Sequence, residues 1–184
     1  MSTIKVENLT GLTSGANANK IIIPAGQTLH APGHVVQMVN TSWNTKTTIT
    51  ANSYTTISGA SLAITPKSST SKILVLANMP TSVYDPNTGY AHAAFNIFRG
   101  STLISGTVPT DGTGAYEIGS YGGGGAVEFN HRYTNNIVDT PSTTSATTYS
   151  IKAAVYGGAG GTIFVNHGNA AQGTSSIILM EIAA

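Results

Sequence analysis

The side chains best suited to metal binding or proton transfer in this sequence are its histidines. There are five: His30, His34, His92, His131 and His167. His30 and His34 have the spacing of a helical zinc pair, but Pro32 and Gly33 between them break any common register. His131 falls on the apolar side of a predicted strand, which favours a hydrogen-bonded core or subunit-interface residue over a ligand. The sequence therefore predicts no metal site within one chain; a cage of three histidines on the axis of a trimer is the alternative.

The carboxylates offer one candidate pair for hydrolysis. A glycosidase needs two acids facing one cleft, and Asp111 and Glu117 could face each other across a loop. Because the surrounding residues, 107–125, are rich in glycine, the simpler interpretation is that both acids are solvent-exposed residues of a loop. No G-x-S-x-G motif selects a serine nucleophile, and no glycine-rich segment has the pattern of a phosphate- or dinucleotide-binding loop. We predict that the protein is not an enzyme and needs no cofactor.

Two glycine-rich segments, residues 122–125 and 157–161, are instead candidate binding loops. They connect predicted strands, which is where binding surfaces are usually carried. Tyrosines flank both segments, and this side chain supplies a broad contact area at low entropic cost, as sugar or protein recognition requires. The candidate contact residues are Tyr116, Tyr121, Gly123, Tyr156 and Gly158. The alternative is that the tyrosines pack at strand ends.

Low charge is the most unusual property of the chain. Only 8% of the 184 residues are charged, against about 25% in an ordinary soluble domain. A near-neutral surface tends to associate, so the composition predicts permanent contact with other chains. The net charge of +1 gives no surplus of cations for binding nucleic acid. There is no cysteine, and no apolar stretch has the length of a signal peptide or a membrane span, so we expect neither secretion by the usual route nor membrane insertion.

Short segments with alternating polarity, separated by glycine and proline, predict strands throughout. The cleanest alternation is at 126–133, and a continuous apolar run at 73–76 is typical of a strand buried on both faces or crossing the middle of a sandwich. The turn composition of 85–89 predicts a hairpin that joins 81–84 to 90–99. No segment keeps a helical period over three turns. The sequence predicts an all-β fold: a sandwich, barrel or jelly roll.

The first 33 residues differ from the rest of the chain. Their apolar pieces, which include Ile4, Val6, Leu9 and Ile22, are each too short to be buried alone. We predict an attachment and oligomerisation arm at 1–33 that pairs with a neighbouring subunit, followed by a head domain at 34–184. The alternative is an N-terminal hairpin on the same domain.

Several strings resemble segments of virion structural proteins from tailed phages of the marine and cyanobacterial type. These strings occur in the same order as in that family and are spread along the chain, at Ser2–Leu9, Ala31–Gln37, Thr65–Val75, Asp139–Tyr149 and Leu179–Ala184. The resemblance implies a small fibre or decoration protein, located in the virion after assembly in the host cytoplasm. It further implies a homotrimer with an N-terminal arm and a compact head, often a jelly roll similar to the tumour-necrosis-factor fold, with no catalytic motif.

The resemblance leaves two functions open. One is a fibre head, on the tail or capsid, that contacts other virion proteins and binds a host-surface glycan or protein. The other is a decoration protein that cements neighbouring capsid subunits. Because the chain is short and has no shaft, it departs from long tail fibres, which favours a head-mounted or adaptor role. A glycan-degrading depolymerase is a third, more remote alternative.

Overall fold

The computed structural model describes residues 13–16, 18, 20, 31–86, 90–106, 117–121, 126–157, 160–167 and 173–184. The chain divides into two compact units, Met1–Ala31 and Pro32–Ala184. In the first unit, the Nζ of Lys20 donates a hydrogen bond of 3.3 Å to the backbone oxygen of Ala16. The arm residues Ile4, Val6, Leu9 and Ile22 lie outside the described residues, so the attachment role of 1–33 stays a prediction.

The described part of the second unit consists of strands joined by turns and loops. The strands are β1 (Val35–Trp43), β2 (Thr47–Ile49), β3 (Thr55–Ile64), β4 (Lys72–Asp85), β5 (Tyr90–Arg99), β6 (Thr102–Leu103), β7 (Glu117–Tyr121), β8 (Val127–Asp139), β9 (Thr147–Gly157), β10 (Thr162–Val165) and β11 (Ser175–Ile182). Within these ranges no helix occurs, and so none has the length and hydropathy that crossing a membrane requires. The predicted all-β class is confirmed.

The strands form two antiparallel sheets. The larger has the order β1-β11-β4-β10-β2, with β8 also paired to β4, and the smaller has the order β3-β9-β5-β6, with β7 also paired to β5. β11 and β10 follow one another along one edge of β4, while β8 runs along the other edge. Four pairings are nested in sequence: β1 with β11, β3 with β9, β4 with β8, and β5 with β7.

One hydrophobic core lies between the sheets. It contains Ile73 and Val75 of the larger sheet and Phe95 and Ile151 of the smaller, each of them fully buried. The rings of Phe95 and Tyr133, one from each sheet, have centroids 5.0 Å apart. Burial of this apolar surface is the main force that holds the two sheets together. The arrangement is compatible with a β-sandwich.

A buried carboxylate ties the β3–β4 connection to the larger sheet. Glu181 is fully buried and accepts hydrogen bonds from the side chain of Gln37 (2.6 Å) and the backbone amides of Lys67 (2.7 Å) and Ser68 (3.3 Å). Burial alone would raise the pKa of Glu181, but these bonds and one from Ser71 outweigh it and lower the pKa below its usual value. The ionised carboxylate therefore holds β1, β11 and the 65–71 loop together.

Two local predictions need correction. The hairpin joining 81–84 to 90–99 is wrong, because β4 and β5 belong to different sheets. The Thr-rich, β-branched residues 47–57 predict a strand from the sequence, but residues 50–54 divide this segment between β2 and β3. The run at 73–76 does lie in a central strand, but only Ile73 and Val75 face the core; Leu74 and Leu76 are half-buried on the opposite face.

Candidate assembly surface

The outward face of the larger sheet carries apolar residues in rows that cross four strands. Met38 of β1 lies opposite Met180 of β11, Met180 lies opposite Leu74 of β4, and Leu74 lies opposite Val138 of β8. Residues directly opposite one another in a sheet project from the same face. The register therefore aligns four apolar side chains into one row, here called the apolar row.

The ends of the apolar row are exposed. Met38 is 55% exposed and Val138 57% exposed, whereas Met180 and Leu74 between them are half-buried. Val35, which is 50% exposed, extends the apolar surface on the β1 side. Because the register places these apolar side chains next to one another on neighbouring strands, they form one continuous apolar surface and not a set of isolated exposed residues. A contiguous exposed apolar surface with a polar rim marks an interaction site.

The next rows continue the same surface without charge. Ile178 and Leu76 are flanked by Asn40 and Asn136, and the row beyond contains Ser176 and Asn78 flanked by Ser42 and Thr134. Among the described residues, charged side chains occur on this face only beyond these rows: Lys72 in the row of Val35 and Ile182, and Lys46, Glu128 and Arg132 on the opposite side. The surface, here called the assembly face, is thus an apolar centre bordered by short uncharged polar side chains.

A shallow cavity of about 290 Å³ opens within the assembly face. Leu76 and Ile178 contribute apolar lining, and Asn78, Thr134 and Asn136 contribute polar groups. The side-chain oxygen of Asn78 is buried and has no hydrogen-bond partner among the described residues. A buried amide without a partner is unfavourable, and a donor from a molecule seated on the face would satisfy it.

A second polar cluster lies on the same sheet, beyond the assembly face. Nδ1 of His167 is 2.8 Å from Oε1 of Glu128 and 3.4 Å from Oγ of Ser82, and its ring stacks on Phe164 with centroids 4.2 Å apart. Burial raises the pKa of Glu128, but hydrogen bonds from Ser82 and His167 and the nearby positive charge of Lys46 lower it overall.

This cluster does not have the geometry of a catalytic triad. In a triad the hydroxyl and the carboxylate contact opposite nitrogens of the imidazole, whereas Ser82 and Glu128 share Nδ1 of His167. The arrangement is a partly exposed hydrogen-bonded cluster that joins β4, β8 and the residues after β10. Sequence reasoning missed it because its members are distant along the chain and no local motif connects them.

The predicted binding loops are only partly within the described residues. Tyr116, Gly123 and Gly158 lie outside them, and only the backbone of Tyr121 is described. Tyr156 is half-buried, and burial raises its pKa.

The strands that lead into the two glycine-rich segments do end close together. The end of β7 and the end of β9 both lie beside the start of β5, with Tyr121 opposite Tyr90 and Tyr156 opposite His92. Both segments therefore leave the smaller sheet at the same end. Their role in binding stays a prediction.

The described histidines are dispersed. The backbone oxygen of His34 accepts a hydrogen bond from the backbone amide of Ala183. Burial lowers the pKa of both His92 and His131. Among the described residues no three metal-binding side chains gather. A histidine cage on a symmetry axis would need neighbouring copies and stays a prediction.

Comparison with models of known protein families finds no match, and comparison with curated proteins finds none either. Among solved structures, a chain in the structure of infectious bursal disease virus, Gx strain, is similar at 14% sequence identity and a TM-score of 0.32. The alignment covers 92% of this chain and 38% of that chain. This protein therefore spans less than half the length of that viral chain.

Proposed function

We propose that the protein is a non-enzymatic structural protein of a phage virion that works as an assembly of its own copies. In the form we favour, three copies make a fibre head, on the tail or the capsid, and the arm at 1–33 attaches the trimer to other virion proteins. The alternative is a decoration protein that cements the capsid lattice.

The assembly face is the observation that carries this proposal. The face comprises four strands spaced about 4.8 Å apart, and its three rows span five residues along each strand, so it measures roughly 20 by 17 Å. That is less than half of the ~800 Å² per partner that a stable interface buries. The polar borders and adjoining edges would supply the rest.

The character of the assembly face selects copies of the same chain as its occupants. No charge lies in its rows, so three copies of the face can converge on a common axis without like-charge repulsion, and a charged partner such as nucleic acid finds nothing to pair with. Leu and Met side chains on both partners also adapt to one another easily. Contact between copies would cover Met38 and Val138, which water contacts in the isolated chain.

The nested strand pairing supports a jelly roll as the fold of the head. If the short strands β2, β6 and β10 are set aside, eight strands remain, and they pair first with last, second with seventh, third with sixth and fourth with fifth. The resulting sheet orders, 1-8-3-6 and 2-7-4-5, are those of a double Greek key. This fold is found in viral capsid proteins, among other classes, and fits the phage-protein resemblance of the sequence.

Host binding would be a property of the trimer and not of one chain. The glycine-rich segments beside Tyr121 and Tyr156 leave one end of the smaller sheet, so three copies would present three equivalent sites. Several weak sites on one rigid object gain avidity when the targets have matching spacing. A decoration protein would not need these sites, which separates the two functions.

Light scattering of the purified protein, combined with detection of the protein in purified virions, tests the proposal. We expect a mass of three chains and a constant copy number per particle. Electron microscopy then distinguishes the two forms, since a fibre head adds density at isolated positions and a decoration protein adds it regularly over the capsid. A stable 18.8 kDa monomer at micromolar concentration that is absent from virions would refute both.

A further inference from the structure

One edge of the larger sheet lacks the features that normally prevent strand pairing. β8 pairs with β4 over thirteen residues without a register shift, and among the described strands none pairs with its other edge. The other described edges are interrupted or short: β1 has a bulge between Val35 and Gln37, β3 has one between Thr56 and Ser61, and β2, β6 and β7 have three, two and five residues. A long, regular, open edge is a template for another strand.

The backbone of β8 directs alternate residues toward this open edge. Thr81 lies opposite His131, and its hydroxyl donates to the backbone oxygen of His131 at 3.2 Å, so His131 faces β4. Pro80 lies opposite Arg132, and its carbonyl points away from β8, to the amide of Asn166. Because antiparallel strands alternate in this respect, the even-numbered residues of β8 present their backbone N–H and C=O groups to the open edge.

The side chains near the start of β8 are complementary to themselves. Glu128 and Arg132 are exposed on the outward face, on either side of Asn130. On the core-facing side, Phe129 is 46% exposed although Tyr133, on the same side of the strand, is fully buried. The core is therefore uncovered at Phe129, where one more strand would shield it.

We propose that β8 of a second copy pairs with this edge, antiparallel and about a twofold axis at Asn130. In this register Glu128 lies opposite Arg132 of the partner subunit, and Phe129 lies opposite His131 of the partner subunit; the axis repeats both contacts. Opposite charges across a strand pair are stabilising and like charges are destabilising. A register centred on Arg132 would instead place two guanidinium groups opposite each other.

This contact rests on the proposed function only in requiring that copies assemble. It uses the edge of the larger sheet, whereas the trimer uses the assembly face. Paired residues 127–133 span only about 24 Å, too little for a stable dimer alone, so the contact acts between chains that are already concentrated on a particle. A twofold contact between trimers is what a cementing lattice needs.

A cysteine at the axis tests the register. The chain has no native cysteine, so an Asn130→Cys variant has one thiol, and its two copies would have Cα atoms about 5.5 Å apart, within the ~4.4–6.8 Å range of a disulfide. The control, Asn136→Cys, is exposed on the same face of the same strand, but its two copies would be about 41 Å apart. In a glutathione redox buffer we expect a covalent dimer from N130C and none from N136C.

Charge exchange tests the pairing itself. In the N130C background, Glu128→Arg alone and Arg132→Glu alone should each lower the rate of cross-linking about tenfold, and the two together should restore it. His167→Ala measures the effect of losing the intrachain contact of Glu128. Equal cross-linking of N130C and N136C, or no cross-linking of N130C, overturns the proposal. If light scattering still shows a trimer in that case, only the edge contact has failed and the proposed function stands.

Discussion

The strongest prediction concerns two lysines placed at the ends of the apolar row. About half of Met38 and of Val138 is exposed in the single chain, and full burial of such a side chain contributes about 1.5–3 kcal/mol, so assembly gains about 1 kcal/mol from each. Over three copies the two positions contribute about 6 kcal/mol, or roughly four orders of magnitude in the trimer association constant, since ~1.4 kcal/mol is tenfold. A Met38→Lys/Val138→Lys variant loses this contribution and must also desolvate its charges.

Sedimentation equilibrium over a range of concentrations measures the effect directly. We expect M38K/V138K to be monomeric where the unmodified protein is trimeric, with a melting temperature close to that of the isolated chain because both positions are already exposed. The matched control is Thr56→Lys/Thr148→Lys, which adds the same charge at exposed positions of the smaller sheet and should stay trimeric. If M38K/V138K keeps the mass of the unmodified protein, the assembly face is not the interface.

The fold itself gives three further predictions. Glu181→Gln should lower the free energy of unfolding by about 2 kcal/mol at pH 7. Because the pKa of Glu181 is lowered in the folded state, its stabilising effect is present above pH ~4.5 and is lost as the pH falls through the folded-state pKa. The difference in stability between E181Q and the unmodified protein, measured by denaturant melts, should therefore be largest at pH 7 and should shrink as the pH is lowered below ~4.5. Gly59→Ala should lower the free energy of unfolding by about 1–3 kcal/mol, because Gly59 has a φ of +83° and a Cβ there would lie 2.6 Å from the indole of Trp43. The fluorescence of this single tryptophan reports the change. An unaltered emission spectrum and an unaltered unfolding midpoint would contradict this prediction. Tyr149→Phe removes the hydroxyl that donates to Asp139 at 2.7 Å and should cost about 1–2 kcal/mol in urea unfolding; a loss below 0.3 kcal/mol, roughly the error of such a measurement, would show that the bond does not stabilise the fold.

Strand positions were predictable from the sequence because side-chain alternation is a local property. The alternating side chains at 147–156 and 175–182 predict two strands, and these correspond to β9 and β11 almost residue for residue. The supposed hairpin at 85–89 was not predictable in the same way. Turn composition indicates that the chain reverses direction. Whether the next strand joins the same sheet or the other one depends on the pairing of β4 with β8 and of β5 with β9, which involves residues distant in the sequence.

The sequence contains a signal that the outward face of the larger sheet is apolar. β11 carries Ile178, Met180 and Ile182 on the side opposite Ile177 and Leu179, and β4 is apolar on both sides as well. Two strands with two apolar faces imply that the outward face is covered by something. The row that ends at Met38 and Val138 could not be inferred, because it exists only through the register of four strands.

The distribution of the few acids explains why such a face favours assembly. Four acidic residues have side chains that the structure describes, and each is engaged inside its own chain. Glu181 is held by the 65–71 loop, Asp139 by Arg99 and Tyr149, and Glu128 by His167, while Asp85 is almost fully buried. Carboxylates that hold the fold together in this way do little to keep molecules apart in solution. The remaining described surface is polar through Ser, Thr and Asn, which hydrate well but do not repel a second copy. An uncharged surface with an apolar centre is therefore most stable when copies of the chain cover it, and added charge at that centre is the change most able to keep the chains separate.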